Sequence, residues 1–305
     1  MTEIKFPATW IDENRFEEAL SSNDYPHEKT SAKIVFSFPF NCKVMIGTAV
    51  RLLSLANQLD HCCKNVVLDF AEGESGAMGY LNRMGFFDHL APGITVIPDR
   101  PILSGAFVYG RTNRNLVEIE AINKSHRDQS LPSRLTDTLM ESCSGRTDAN
   151  ELEGAAWTIF AELIDNIFSH SQTPLDGYAA SQLYRNGNSL KVVVSDSGLG
   201  IMETLRPSLH AEYPNLVGLS DLQLLVEIFR QGISRHGGDR GCGLRGSAQK
   251  AIKFNANLEV RLPKVRSFLV PAQGTYQPNN KAYCSENLPL IWGTHIIFDF
   301  HLDQK

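Results

Sequence analysis

The sequence predicts an α/β protein in two parts, residues 1–147 and 148–305. Between Lys33 and Ile97, short apolar runs alternate with stretches of helical period. A longer helical stretch over 152–171 then opens a second set of strand-like runs. Residues 144–148, small and polar, lie between the two and read as a linker. A chain of 305 residues with 42% apolar content has room for two domains of ordinary size.

The elements follow in order. Residues 1–30 are polar and hold no long periodic run, so they read as an arm with one short helix over 13–20. Lys33–Phe38 is an apolar run stopped by Pro39 and predicts a strand. Met45, Ala49, Leu52, Leu53, Ala56 and Leu59 recur at helical spacing and predict a helix over 44–59. Asn65–Phe70 has the composition of a buried strand. A second helix is expected over 76–86 and a third strand over 93–97. Strand–helix–strand–helix–strand implies helices packed on a sheet.

Residues 98–115 carry Pro, Gly and Asn and read as loop. Leu116–Ile122 alternates as a strand, and 131–143 predicts a helix starting near Pro132. Asp148 and Glu151 fit a capping box for the next helix. Beyond it, residues 178–184 and 190–195 flank Asn186-Gly187, a hairpin signal. Residues 202–240 form a long connection with one helix over 221–230 and a glycine-bearing end; such a connection reads as a lid. A helix over 247–254 and strands over 257–262, 268–270 and 294–300 complete a mixed sheet, with 271–290 as an inserted loop.

Composition excludes several functions. The net charge of −5 argues against a generic grip on nucleic-acid phosphates. No apolar run reaches membrane length and Met1–Ile4 opens no signal-peptide pattern, so a cytoplasmic protein is expected. Cys42, Cys62, Cys63, Cys143, Cys242 and Cys284 have no zinc spacing, and reduced, mostly buried thiols are expected. Nothing in the sequence speaks against a homo-oligomer.

The chemistry-bearing residues cluster in the second part. Leu152, Ala156, Ile159, Phe160, Leu163, Ile164 and Ile167 define the buried face of one helix. Glu162, Asn166 and His170, each four apart, line up along another side. A carboxylate, an amide and an imidazole on one stripe suit a metal-bound phosphate and a water; the plain alternative is a solvated helix face. Downstream come Asp196-Ser197-Gly198-Leu199-Gly200-Ile201 after a strand, then Arg240-Gly241-Cys242-Gly243-Leu244-Arg245-Gly246, then Gly293-Thr294 before the last strand.

In order and spacing these four elements resemble the ATP-site boxes of the GHKL (Bergerat-fold, histidine-kinase-like) superfamily. The resemblance covers about half the chain. It implies a Bergerat-type α/β sandwich with a mixed sheet over 148–305, and ATP with Mg²⁺ as ligands. It gives Glu162 the role of activating or orienting water or an attacking hydroxyl, and Asn166 that of magnesium ligand. Magnesium suits such oxygen donors. His170 would lie near phosphate. Asp196 would accept a hydrogen bond from the adenine amine, with Gly198, Gly200 and Ile201 shaping the turn and Thr294 on the adenine side. Arg240, Gly241, Gly243, Leu244, Arg245 and Gly246 would meet the phosphates through amides and charge. Arg245 stands where histidine kinases have glycine; read one step along, 243–248 is closer to the MutL pattern G-F-R-G-E-A, which leaves the subfamily and phosphoryl acceptor open.

Residues 33–97 resemble a STAS-like domain, the fold of anti-sigma-factor antagonists, through Val66-Val67-Leu68-Asp69-Phe70 and the helix after it. Ser75 falls near the position that is phosphorylated in those antagonists; its plain alternative is a helix N-cap. His126 echoes a phospho-acceptor box, but its short separation from Glu162 leaves no space for the helical hairpin of a two-component kinase. The resemblances imply a magnesium-dependent ATPase or protein serine/threonine kinase in bacterial signalling or defence. The alternative is an ATP-gated switch whose STAS-like half binds a protein partner with little turnover.

Overall fold

The computed structural model describes residues 1–22, 26–28, 33–110, 112–123, 128–143, 145–170, 173–231, 233, 242–279 and 285–302, with backbone alone at 169–170 and 242–245. Strands are β1 Thr2–Lys5, β2 Trp10–Ile11, β3 Lys33–Phe38, β4 Lys43–Val44, β5 Asn65–Phe70, β6 Thr95–Ile97, β7 Leu116–Ile122, β8 Gly177–Tyr184, β9 Ser189–Ser195, β10 Asn257–Arg261, β11 Arg266–Ala272, β12 Thr275–Pro278 and β13 His295–His301. Helices are α1 Glu13–Ser21, α2 Ile46–His61, α3 Ala77–Arg83, α4 Gly105–Tyr109, α5 Leu131–Ser142, α6 Ala149–His170, α7 Gly200–Glu212, α8 Asp221–Gln231 and α9 Cys242–Lys253.

The molecule is mixed α/β, with a four-stranded parallel sheet in the order β1-β3-β5-β6 and a seven-stranded sheet in the order β12-β11-β10-β13-β9-β8-β7. The seven-stranded sheet is not mixed, as expected, but antiparallel at every pairing. Short connections force this for β8–β9, β10–β11 and β11–β12. Between β7 and β8 the chain makes two helical passes, α5 and α6. Two passes bring it back antiparallel, where a single crossover helix would have made the strands parallel.

Both faces of the larger sheet are covered. Val192, Val194, Phe298 and Phe300 point into a core shared with α5 to α9. Val193, Ile297, Tyr178 and Ala180 point into the other core, shared with α2 and the four-stranded sheet. Successive strand residues face opposite sides, so Val192-Val193-Val194 reads as a continuous apolar run because neither side is wet. Helix α2 is buried from Ile46 to Leu59 on every face. The boundary expected at 147/148 leaves β7 and α5 on its N-terminal side. The larger sheet therefore takes in elements from both sides of that position.

Several expectations are corrected. The arm contains β1, which pairs in parallel with β3 and buries Ile4; four residues are too few to display a period. The loop over 271–290 contains β12, an edge strand able to tolerate Pro278. The connection 202–240 holds α7 as well as α8. Pro207 sits inside α7 and breaks its pattern in the sequence, while burial of Met202, Leu205 and Leu209 offsets the lost backbone bond. Most of the expected lid is thus packed helix, and 234–241 lies outside the described residues. Asp148 and Glu151 do not form a capping box: the two Asp148 carboxylate oxygens accept from Nε and Nη2 of Arg146 at 2.8 and 2.9 Å, and Glu151 pairs with Lys253. Ser75 is not the N-cap of α3. It lies in the preceding turn, where its hydroxyl donates to Glu72 O. Among the described cysteines, Cys42 and Cys143 are buried but Cys63 is exposed and Cys62 half-buried.

Charged side chains join the layers. Glu17 of α1 accepts from Arg51 of α2 at 3.2 Å and from Arg261 of β10 at 2.9 Å. Glu259 of β10 accepts from Arg51 at 2.8 Å and from Arg266 of β11 at 2.9 Å. All are buried. Burial alone would raise the Glu259 carboxyl, but Arg266 and Arg51 outweigh it and hold it well below the usual carboxylate range. Its folded pKa is depressed, so its contribution to stability is present above the unfolded value of about 4.3 and is lost as pH falls below it. Urea midpoints should therefore drop steeply below about pH 4, and Glu259→Gln should flatten that drop. Arg51→Ala leaves two carboxylates short of a shared partner and should destabilise by about 3–5 kcal/mol in the same titration.

Candidate functional site

Helix α6 carries the polar stripe. Its apolar face, Ile159, Phe160, Leu163, Ile164 and Ile167, is buried, which turns Glu162 and Asn166 to half-buried positions and Asp165 outward. Glu162 Oε2 accepts from the hydroxyl of Ser247 at 2.6 Å, joining α6 to α9. Ser247 is buried, so this bond fixes one rotamer of the carboxylate. The side chain of His170 lies outside the described residues.

Two glycine turns meet at the ends of β9 and β13. Asp196 donates its amide to Thr294 O at 3.0 Å, and its carboxylate accepts from Gly198 N at 2.9 Å. That second bond orients the side chain within its own turn. The Thr294 hydroxyl accepts from Ile201 N at 3.0 Å, satisfying one of the amides that the first turn of α7 leaves without a helical partner. Gly293 has φ +93°, and a Cβ there would overlap the Asp196 carbonyl. Gly200 has φ +80°, with a Cβ position 3.0 Å from Gly293 O. Both glycines are therefore required by backbone conformation and close approach.

Gly177 connects this pair of turns to α6. A Cβ on it would lie 2.8 Å from Ile167 Cγ2 and 2.8 Å from Ser195 O. The residue after Asn166 thus packs beside the strand end that leads into Asp196. Behind the turns, His295 is buried, and burial together with Arg51 and Arg261 pushes its pKa well down. The neutral ring then donates from Nε2 to Trp292 O at 3.1 Å and accepts at Nδ1 from the Ser195 hydroxyl at 2.6 Å.

Part of the set that the resemblance puts on the phosphate side falls outside the described residues. Arg240 and Gly241 lie outside the described residues, as does His126, and the Leu244 and Arg245 side chains are not described. The backbone shows that α9 begins at Cys242, five residues before the expected start, so Gly243, Leu244, Arg245 and Gly246 belong to its first turns. The first helical amides have no partner within the helix, so amide donors still stand at this point in the chain. Sequence reasoning assigned no role to Ser247, although it occupies the glutamate position of the pattern G-F-R-G-E-A. Gly177 and Trp292 carried no motif that could mark them, and His295 stood in the Gly293–Phe298 run with no role given to it.

A separate cleft of ≈ 580 Å³ is lined by Trp10, Met45, Leu116, Tyr184, Arg185 and Lys191, among others. None of the turn or stripe residues lines it. Among the described residues, no group of three or more His, Cys, Asp or Glu side chains is placed to hold a metal ion. Comparison with protein-family models, curated proteins and solved structures finds no match.

Gly293→Ala should destabilise the fold by about 1–3 kcal/mol, since it combines a strained φ with backbone overlap. Chemical denaturation measures this, and Gly187→Ala, at a position with no neighbour closer than 3.7 Å to its Cβ, is the near-neutral comparison.

Proposed function

We propose that this chain binds ATP with magnesium and either hydrolyses it or passes its γ-phosphate to a serine or threonine of a protein. What chiefly supports this reading is the locked pair of turns, Asp196–Gly200 and Gly293–Thr294, beside the helix that presents Glu162 and Asn166. Asp196 suits adenine over guanine because its carboxylate accepts a hydrogen bond from an exocyclic amine, where guanine carries a carbonyl. The Gly198 amide already aims that carboxylate.

The donor set fits magnesium. Glu162 and Asn166 offer a carboxylate and an amide oxygen one helical turn apart, both half-buried, and magnesium prefers oxygen ligands while keeping several waters. Asn166 would hold the ion, which supplies charge neutralisation at the phosphates when bound. Glu162 would orient water or the attacking hydroxyl and take up its proton. Ser247 keeps Glu162 in one orientation. The amides at the start of α9 would meet phosphate.

A second reading is an ATP-gated switch with little turnover, in which the N-terminal layer docks a protein partner. The shared core of that layer and the larger sheet favours it, because nucleotide and partner would act on one packed unit. No described helix is long and apolar enough to cross a membrane.

Labelled ATP with magnesium separates these readings: free phosphate marks an ATPase, labelled protein a kinase, and binding without either a switch. Asp196→Asn should weaken ATP binding about ten- to a hundred-fold, from a charged hydrogen bond of roughly 1.5–3 kcal/mol. Absence of any thermal shift of the wild type with magnesium and ATP would remove the reading altogether. Glu162→Ala should keep nucleotide but lose about a hundred-fold or more in turnover. Asn166→Ala should lose the magnesium-dependent part of binding, measured by titration with and without the ion.

A further inference from the structure

Helix α2 belongs to the N-terminal layer, yet one of its edges reaches the back of both glycine turns. Gln58 and Ser54 lie one turn apart on it and are wholly buried. Gln58 Oε1 accepts from Trp292 N at 2.8 Å, and its Nε2 donates to Trp292 O at 3.1 Å. The side chain thus grips the peptide groups of the residue before Gly293, as a neighbouring strand would. Gln58 Nε2 also donates to Ser54 Oγ at 2.9 Å, and Ser54 shares a hydrogen bond of 2.8 Å with Ser197 Oγ. Ser197 follows Asp196 and is buried as well.

His27 closes the assembly from outside. Its ring stacks on Trp292 with centroids 5.0 Å apart, and its Nε2 donates to Gln58 Oε1 at 3.2 Å. Burial lowers its pKa to about 4, which keeps the ring neutral near pH 7. From the other side His295 donates to Trp292 O, so that carbonyl is held twice. The relay runs without a gap from α2 to the hydroxyl of Ser197, the residue after Asp196, and to the peptide groups of Trp292, two residues before Thr294. A buried, satisfied polar network of this kind allows few alternative positions to the groups it holds.

We propose that α2 is part of the nucleotide site, with Ser54 and Gln58 as positioning residues that set the Asp196 and Thr294 turns and thereby base selection. This rests on the ATP reading above. Neither residue touches nucleotide; Gln58 acts through the backbone of Trp292 and Ser54 through the side chain of Ser197. Selection between adenine and guanine turns on the aim of one carboxylate, so a shift of its turn should reduce preference as well as affinity.

The test measures Kd for ATP and for GTP, with magnesium, and the melting temperature of each protein. Gln58→Met keeps the length of the side chain and removes its hydrogen bonds. It should weaken ATP about ten-fold, the equivalent of roughly 1.4 kcal/mol, and narrow the ATP-to-GTP preference. Ser54→Ala and Ser197→Ala should each weaken ATP several-fold, with the double variant no weaker than the worse single, since both break one relay. This cycle decides the matter if Gln58→Met does not fold. Asn57→Ala is the comparison: Asn57 sits on the same helix but bonds His89 O, Ala91 N and the Tyr178 hydroxyl. It should lower the melting temperature and leave ATP affinity and base preference unchanged. Wild-type affinity and preference in Ser54→Ala and Ser197→Ala, with only a lower melting temperature, would reduce the relay to packing and overturn the proposal while ATP binding stands. A wild type that binds neither nucleotide would overturn the ATP reading and this one with it.

Discussion

A carboxylate or guanidinium removed from water costs several kcal/mol unless it is partnered, and Glu17, Arg51, Glu259, Arg261 and Arg266 are all removed from it together. They alternate in sign: Arg261 to Glu17 to Arg51 to Glu259 to Arg266. Arg51 is the middle member, the one that faces both carboxylates. Because α1 supplies Glu17, α2 supplies Arg51 and the larger sheet supplies the rest, the charges can be satisfied only when the layers sit at one separation. Lys191 of β9 and Glu13 of α1 repeat the arrangement nearby at 3.0 Å. Apolar contact between the layers supplies attraction without direction, whereas the ion pairs specify position.

That positional demand is felt at the glycine turns. Helix α2 enters the ion cluster through Arg51 and reaches the glycine turns through Ser54 and Gln58, within two turns of one helix. The same helix is buried on all sides, so it has little latitude to move alone. The reverse face of the larger sheet is therefore part of the machinery that holds the front. On the front, α6 packs its apolar face into the core, with Ile167 against Gly177, and Glu162 accepts from Ser247.

Much of the architecture was legible. Lys33–Phe38, Asn65–Phe70 and Leu116–Ile122 form strands over the expected residues, and α2, α5 and α8 lie within a few residues of their expected bounds. These elements have strong local periods. What was missed has weak or interrupted ones: β1 is four residues, α7 contains Pro207, and β12 lies in a stretch of Pro, Asn and Gln. The hairpin at Asn186-Gly187 formed, but the left-handed residue is Asn188, with φ 47°. Local composition marked the turn, and the register of β8 with β9 chose its shape.

The sequence by itself determined the helix that carries Glu162 and Asn166, the strand before Asp196 and the glycines at 198, 200 and 293, because period and backbone freedom are properties of neighbouring residues. Only the tertiary structure decided that Asp196 and Thr294 share a hydrogen bond, that Ser247 reaches Glu162, and that α2 holds Trp292 behind the turns. These contacts join residues from 85 to 234 positions apart. No local pattern encodes such a pairing. It follows from filling both faces of one sheet and satisfying the charges between its layers.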